Sequence, residues 1–154
     1  MKSESIKEFL NCKKIAVIGV SSKGKGMGIV VYNHLKDCGT NVFAINKNGG
    51  NFKGIKLYSS IKDISENIDG IITIVPPAET EKVVKEALEL GVNNIWMQQG
   101  SESNIAIKFC EENGISLIYG ECILMFSEPV KSIHGFHRWI NKIIGKYPKQ
   151  FNIN

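Results

Sequence analysis

Apolar residues fall in short continuous blocks along this chain, and stripes at helical spacing separate the blocks. The first stripe covers residues 3–11, where Ile6, Phe9 and Leu10 share one face and Ser5 and Glu8 stand at capping-box spacing. Lys14 to Val20 then runs almost without a polar side chain, as a strand does when a parallel sheet buries both its faces. Met27 to Asp37 predicts a helix stopped at Gly39, and Asn41 to Ile45 a second strand. The stretch 46–58, punctuated by Gly49, Gly50 and Gly54, predicts a loop. A short helical turn over 60–66 leads to a third strand, Gly70 to Val75, which Pro76 and Pro77 end because proline cannot donate to a ladder. Val83, Val84, Ala87 and Leu88 mark an amphipathic helix over 78–90, closed by Gly91. A fourth strand at 94–97, a helix at 102–112, a fifth strand at 115–119 and a last amphipathic helix at 135–145 complete the pattern.

Strands alternating with helices at this spacing require right-handed crossovers and a parallel sheet covered on both sides. The expectation is one doubly wound, Rossmann-type α/β domain over 1–154, with a mostly parallel five-stranded sheet. An N-terminal helix (1–12) precedes it, and a C-terminal extension (129–147) carries the packing helix. In such folds a ligand sits beyond the carboxyl ends of the strands, where the strand order reverses.

Composition narrows the partners. Apolar residues make up 43% and charged residues 22%, an ordinary globular balance. The longest apolar runs are too short to cross a bilayer, and residues 1–12 lack a signal-like apolar core, so the expected location is cytoplasmic with no membrane partner. Four scattered cysteines without a CxxC pair are expected to stay as thiols. The net charge of +4 is carried almost wholly by lysine, with Arg138 the one arginine. No long basic run or aromatic-rich basic stripe favours nucleic acid, which leaves an anionic small molecule.

Four strand ends supply candidate contacts. After the first strand, Gly19-Val-Ser-Ser-Lys-Gly24 permits a tight turn ahead of a helix, where peptide N–H groups and the helix dipole attract phosphate. The turn departs from G-x-G-x-x-G: Ser21 stands where the second glycine would admit a dinucleotide pyrophosphate. After the second strand, folds that bind NAD carry Asp or Glu for the ribose hydroxyls, whereas this chain has Asn46 and Lys47. A lysine there suits an extra ribose phosphate, present at the 3′ position in coenzyme A and the 2′ position in NADP. NAD is the poorest candidate, and the imperfect glycine motif also disfavours NADP. Val75, Pro76 and Pro77 offer a rigid apolar edge for an adenine or a pantetheine arm. Met97, Gln98, Gln99 and Gly100 add amides and a close-approach glycine.

Cys122 follows the fifth strand and could form a mixed disulfide with a bound thiol, against the ordinary alternative of a buried, inert cysteine. His134 and His137, with Glu121 or Cys122, make an incomplete metal set, so no metal is expected. They border the apolar face of the last helix, which would cover the sheet or a partner, in a homodimer or with another protein. His34 is expected to be solvated or at the core edge. No nucleophile–base–orienter pattern is visible, so a binding or sensing module is favoured over an enzyme. An NADP-dependent oxidoreductase fragment and a redox-responsive nucleotide sensor remain as alternatives.

Five segments give the chain a family likeness: AVIGVSSKGKGMG (16–28), VFAINKN (42–48), IVPPAET (74–80), IWMQQGSES (95–103) and GISLIYGECILM (114–125). In that order they resemble the small CoA-binding-domain family, itself similar to the nucleotide domain of the succinyl-CoA synthetase α subunit. The resemblance implies coenzyme A or an acyl-CoA as cofactor. It implies Ser21, Ser22, Lys23 and Gly24 at the phosphates, Asn46 and Lys47 at the 3′-phospho-ribose, 75–77 at the adenine and Met97, Gln98 and Gln99 on the far wall. It does not imply ligase activity, because a second domain and a phosphorylated-histidine loop have no counterpart here.

Overall fold

The Ile-Ala-Val-Ile run lies at the centre of a seven-stranded sheet in a computed structural model that describes residues 2–127. In chain order the elements are α1 (Lys2–Leu10), β1 (Lys14–Ile18), α2 (Met27–Asp37), β2 (Asn41–Ile45), β3 (Gly50–Phe52) and β4 (Ile55–Tyr58). Then follow β5 (Gly70–Thr73), α3 (Pro77–Glu89), β6 (Asn94–Gln98), α4 (Asn104–Glu112) and β7 (Ser116–Glu121), with 3-10 turns at Ile61–Asp63 and Ile123–Met125. The sheet order is β3-β4-β2-β1-β5-β6-β7, parallel except for β3 at the edge. The chain leaves β1 toward β2 and later returns to β5 on its other side, so the order reverses between β1 and β5.

Strand alternation divides the core into two layers. Ile15, Val17, Ala44, Ile72, Trp96 and Ile118 face the layer shared with Ile6 and Phe9 of α1 and Val31 and Leu35 of α2. Ala16, Ile18, Phe43, Ile45, Ile71, Ile95 and Met97 face the layer shared with Val83, Val84 and Ala87 of α3 and Ala106 and Cys110 of α4. Trp96 is wholly buried, packs edge-on to Phe9 with centroids 5.5 Å apart, and donates from Nε1 to the Glu121 carbonyl at 3.1 Å. Burial of its indole N–H therefore leaves no donor unsatisfied.

Two elements differ from the sequence reading. The stretch 46–58 forms the β3–β4 hairpin, which raises the strand count from five to seven. Its two-residue turn places Lys53 (φ 45°) and Gly54 (φ 82°) in the left-handed region, the geometry that matches strand twist. Asn51 Oδ1 accepts from the Gly54 N–H at 3.1 Å, and β4 adds in parallel to β2 through Ala44–Leu57 and Ile45–Tyr58. The third strand stops at Thr73 rather than Val75, and Pro77 opens α3, a position where a missing N–H costs nothing. The expected helix over 135–145, with His134 and His137, lies outside the described residues. His34 is buried rather than solvated: it is 4% exposed, with Nε2 2.6 Å from Ser127 Oγ. Among the described residues no helix is long and apolar enough to cross a membrane.

Candidate functional site

The turn after β1 is built so tightly that a side chain on Gly19 or Gly28 would run into backbone. A Cβ on Gly19 (φ 108°) would stand 2.1 Å from the Ile74 carbonyl oxygen, and one on Gly28 would stand 2.1 Å from the Gly19 carbonyl oxygen. These contacts draw the ends of β1 and β5 and the first turn of α2 into one close junction at the point where the strand order reverses. Ser21 is used locally: its Oγ accepts from the Lys23 N–H at 3.1 Å and its carbonyl from the Gly24 N–H at 3.1 Å. Ser22 and Lys23 are exposed on the outside of this turn.

Helix α2 starts at Gly26, which has φ 89° and no side chain to accept from the first-turn N–H groups, and the first turn holds no acidic residue. The other helices at this edge are less open to an anion. Helix α3 carries Glu79 in its first turn, and the Ser103 side chain caps α4 by accepting from the Ala106 N–H at 3.2 Å. The orphan donors and the positive end of the dipole therefore face outward without a native anion at α2 above all.

Charge converges on the same place. The described residues with Met1 hold fourteen lysines against fourteen carboxylates, a neutral balance. Segments 19–28 and 46–58 nonetheless carry Lys23, Lys25, Lys47, Lys53 and Lys56 and no Asp or Glu. None of the five takes part in the ion pairs seen among the described residues, which join lysines at 2, 14, 62, 82 and 108 to carboxylates elsewhere. Lys56 lies 4.5 Å from the Tyr58 ring centroid and Lys53 5.4 Å from that of Phe52.

The expected contacts at the strand ends divide into two groups. Lys47 is exposed at the end of β2, and Pro76 and Pro77 are exposed at the start of α3 beside the half-buried Val75. Asn46 instead ties the fold together: its Nδ2 donates to the Val20 carbonyl at 2.9 Å and its Oδ1 accepts from the Asn48 N–H at 2.9 Å. Met97 is wholly buried in the core, on the same face as Ile95, and presents no surface at the edge. Gln98 is buried too, with Nε2 2.8 Å from Cys122 Sγ and Oε1 accepting from the Ile123 N–H at 3.1 Å. Gln99 donates to the Gly120 carbonyl, and the Gly100 N–H donates to Glu102. The end of β6 thus satisfies itself, and the open donors and cations gather around β1, β2 and the hairpin.

Cys122 is 2% exposed, and burial pushes its thiol above the ordinary range. A thiol held neutral and shielded is a poor nucleophile, which favours the inert alternative. Burial likewise lifts Cys12 to about 11 and Cys110 to about 12. No group of three or more His, Cys, Asp or Glu that could hold a metal ion occurs among the described residues. Lys25, Gly26, Phe52, Lys53 and Lys56, on the same turn and hairpin, were not among the contacts expected from the sequence, although the absence of any carboxylate from 19–28 and 46–58 was a readable signal.

The chain matches a family model described as a CoA binding domain over residues 13–128. It is similar to the protein YneT of Bacillus subtilis, 30% identical over 119 residues that span 77% of this chain and 88% of that one. It is also similar to the α subunit of ADP-forming acetate–CoA ligase II of Pyrococcus furiosus, 34% identical over 88 residues. That match takes in 56% of this chain and 19% of the ligase subunit, so most of the subunit has no counterpart in the match. Among solved structures, a conserved hypothetical protein from Pyrococcus furiosus superposes with a TM-score of 0.70 at 32% identity, covering 75% of this chain and 99% of that one.

Proposed function

The chain belongs to the family of CoA-binding domains, and from that premise we propose that it binds coenzyme A or an acyl-CoA along the carboxyl edge of β1, β2 and β5. The observation that carries the proposal is the uncapped start of α2 at Gly26, set among five lysines that have no carboxylate partner among the described residues. An anion is the one ligand type that satisfies both the orphan N–H groups and the unbalanced charge.

In this reading the diphosphate lies against residues 22–28, and the ammonium of Lys47 takes the 3′-phosphate. The exposed face of Pro76 and Pro77 offers the adenine a stiff apolar surface that loses no conformational freedom on contact. Asn46 contributes by fixing the end of β2 to Val20, so that Lys47 projects from a rigid base. The protein acts as a binding or sensing module, a role consistent with the lack of any catalytic constellation in the sequence and with the shielding of Cys122.

Calorimetric titration with CoA, dephospho-CoA, NADP and NAD in parallel tests this reading. The expected result is CoA binding that weakens about two- to fivefold in Lys47→Ala, as an exposed ion pair is worth. Dephospho-CoA should bind wild type and Lys47→Ala equally. Binding of NADP or NAD in preference to CoA would overturn the proposal and favour the nicotinamide alternative.

A further inference from the structure

Phe52 meets the glycine loop at its tightest point. A Cβ placed on Gly24 (φ 67°) would stand 2.0 Å from Phe52 Cζ and 2.6 Å from Cε1, so the ring occupies the space a side chain would need. Phe52 and Ile55 pack on the same core layer as Met27 and Val30 of α2, which fastens the hairpin to the helix that the loop feeds. The loop itself holds few internal bonds, those of Ser21 with Lys23 and Gly24, so its curvature depends on what lies against it.

The next residue breaks a local rule. Lys53 is the one non-glycine residue with positive φ among those described, at a hairpin position that Asn, Asp or Gly fills at lower cost. Its ammonium stays 5.4 Å from the Phe52 ring centroid and has no carboxylate partner among the described residues. A long, cationic side chain kept at a strained turn beside a glycine loop gains its use from an anion in that loop.

We infer that the β3–β4 hairpin is a working part of the ligand site: Phe52 is a positioning residue that holds the glycine loop in its anion-binding curvature, and Lys53 adds a cation for the diphosphate. This inference rests on the coenzyme A reading for its ligand, though not for the contact between Phe52 and the loop. Both groups serve the diphosphate, which CoA and dephospho-CoA share. Their loss therefore weakens the two ligands by the same factor, whereas loss of Lys47 weakens CoA alone.

Two measurements on the full chain test it together. The first is calorimetric titration of wild type, Phe52→Leu and Lys53→Ala with CoA and dephospho-CoA. The second is amide hydrogen exchange of residues 21–26 without ligand. Phe52→Leu keeps the apolar packing, and melting temperatures establish that each variant is folded. Expected results are about three- to tenfold weaker binding of both ligands to Phe52→Leu, from an ordering cost now met on binding. Lys53→Ala should lose about two- to fivefold for both, and the loop amides should exchange faster in Phe52→Leu. If wild type binds CoA and both Phe52→Leu and Lys53→Ala bind as tightly, the hairpin inference falls while the ligand assignment stands. If wild type ignores CoA, the ligand assignment falls, and the exchange data decide on Phe52: unchanged protection of 21–26 in Phe52→Leu overturns the positioning role.

Discussion

Replacing Gly28 by alanine sets two effects of opposite sign against each other at one position. Gly28 lies in the first turn of α2. Helix propensity alone would make alanine the better residue by up to about 1 kcal/mol. Gly28 has no positive φ, so backbone conformation does not oppose the change. Packing does. The new methyl would stand 2.1 Å from the Gly19 carbonyl oxygen, 2.7 Å from its carbonyl carbon and 3.0 Å from Val20 Cα. All three are backbone atoms that cannot rotate aside, and ordinary contact distances require the Gly19 carbonyl to retreat by roughly 1 Å. Overpacking of this kind costs about 1–3 kcal/mol. The net expectation is a loss of about 1–2 kcal/mol, or a fall in Tm of roughly 2–8 °C. Urea and thermal unfolding of the ligand-free protein would measure it. Moving α2 away from Gly19 should also weaken CoA binding beyond the change in stability. A Gly28→Ala variant that melts at or above the wild-type temperature would refute the close junction between helix and strand.

Asn46→Ala removes a donor to Val20 and an acceptor from Asn48, and should destabilise the fold by about 1–3 kcal/mol in denaturant melts. A larger loss of CoA affinity than of stability would show that Asn46 also touches the ligand. Gln98→Ala strands the buried Ile123 N–H, and a similar loss of about 1–3 kcal/mol is expected, with faster alkylation of Cys122 by iodoacetamide. Unchanged alkylation would show that the amide does not guard the thiol. The buried cysteines give a pH dependence whose sign is set by their raised values. Above an ordinary thiol value of 9.0 the unfolded chain releases protons that the folded chain keeps at Cys12 and Cys110 until about 11 and about 12. Their contribution to stability is therefore intact below pH 9 and declines as pH rises from 9 toward 12. Urea melts of wild type and Cys110→Ala across that range should diverge least at the alkaline end.

The strands Lys14–Ile18, Asn41–Ile45, Gly70–Thr73, Asn94–Gln98 and Ser116–Glu121 were readable because an uninterrupted apolar block has few other ways to be buried, and each lies within two residues of where its pattern indicated. The hairpin was not readable for the converse reason. Gly50, Asn51, Phe52, Lys53 and Gly54 have neither alternation nor bulk; the first three become strand by pairing with β4, which itself adds to β2, and by Phe52 reaching the core layer of α2. At the site, residue type indicated the exposed Lys47 and the glycines of the turn after β1 but could not show which amides secure the fold. Asn46 and Gln98 each secure the fold, through partners 26 and 25 residues away in sequence. Met97 was predictable in principle, since Ile95 sits two residues earlier on the same buried face.

The lysines around the glycine loop have an effect that extends past contact distance. Residues up to 127 are electrically neutral in sum, yet five unbalanced positive charges stand near one edge of the sheet and the compensating carboxylates are spread over the remainder. Such a body has a permanent dipole moment. A polyanion approaching within about 10 Å at 0.1 M ionic strength experiences a torque as well as an attraction. It turns the basic edge toward itself before any hydrogen bond forms. Added salt should accordingly slow ligand capture more than it speeds ligand release, because the early, long-range part of the encounter is the part that ions screen.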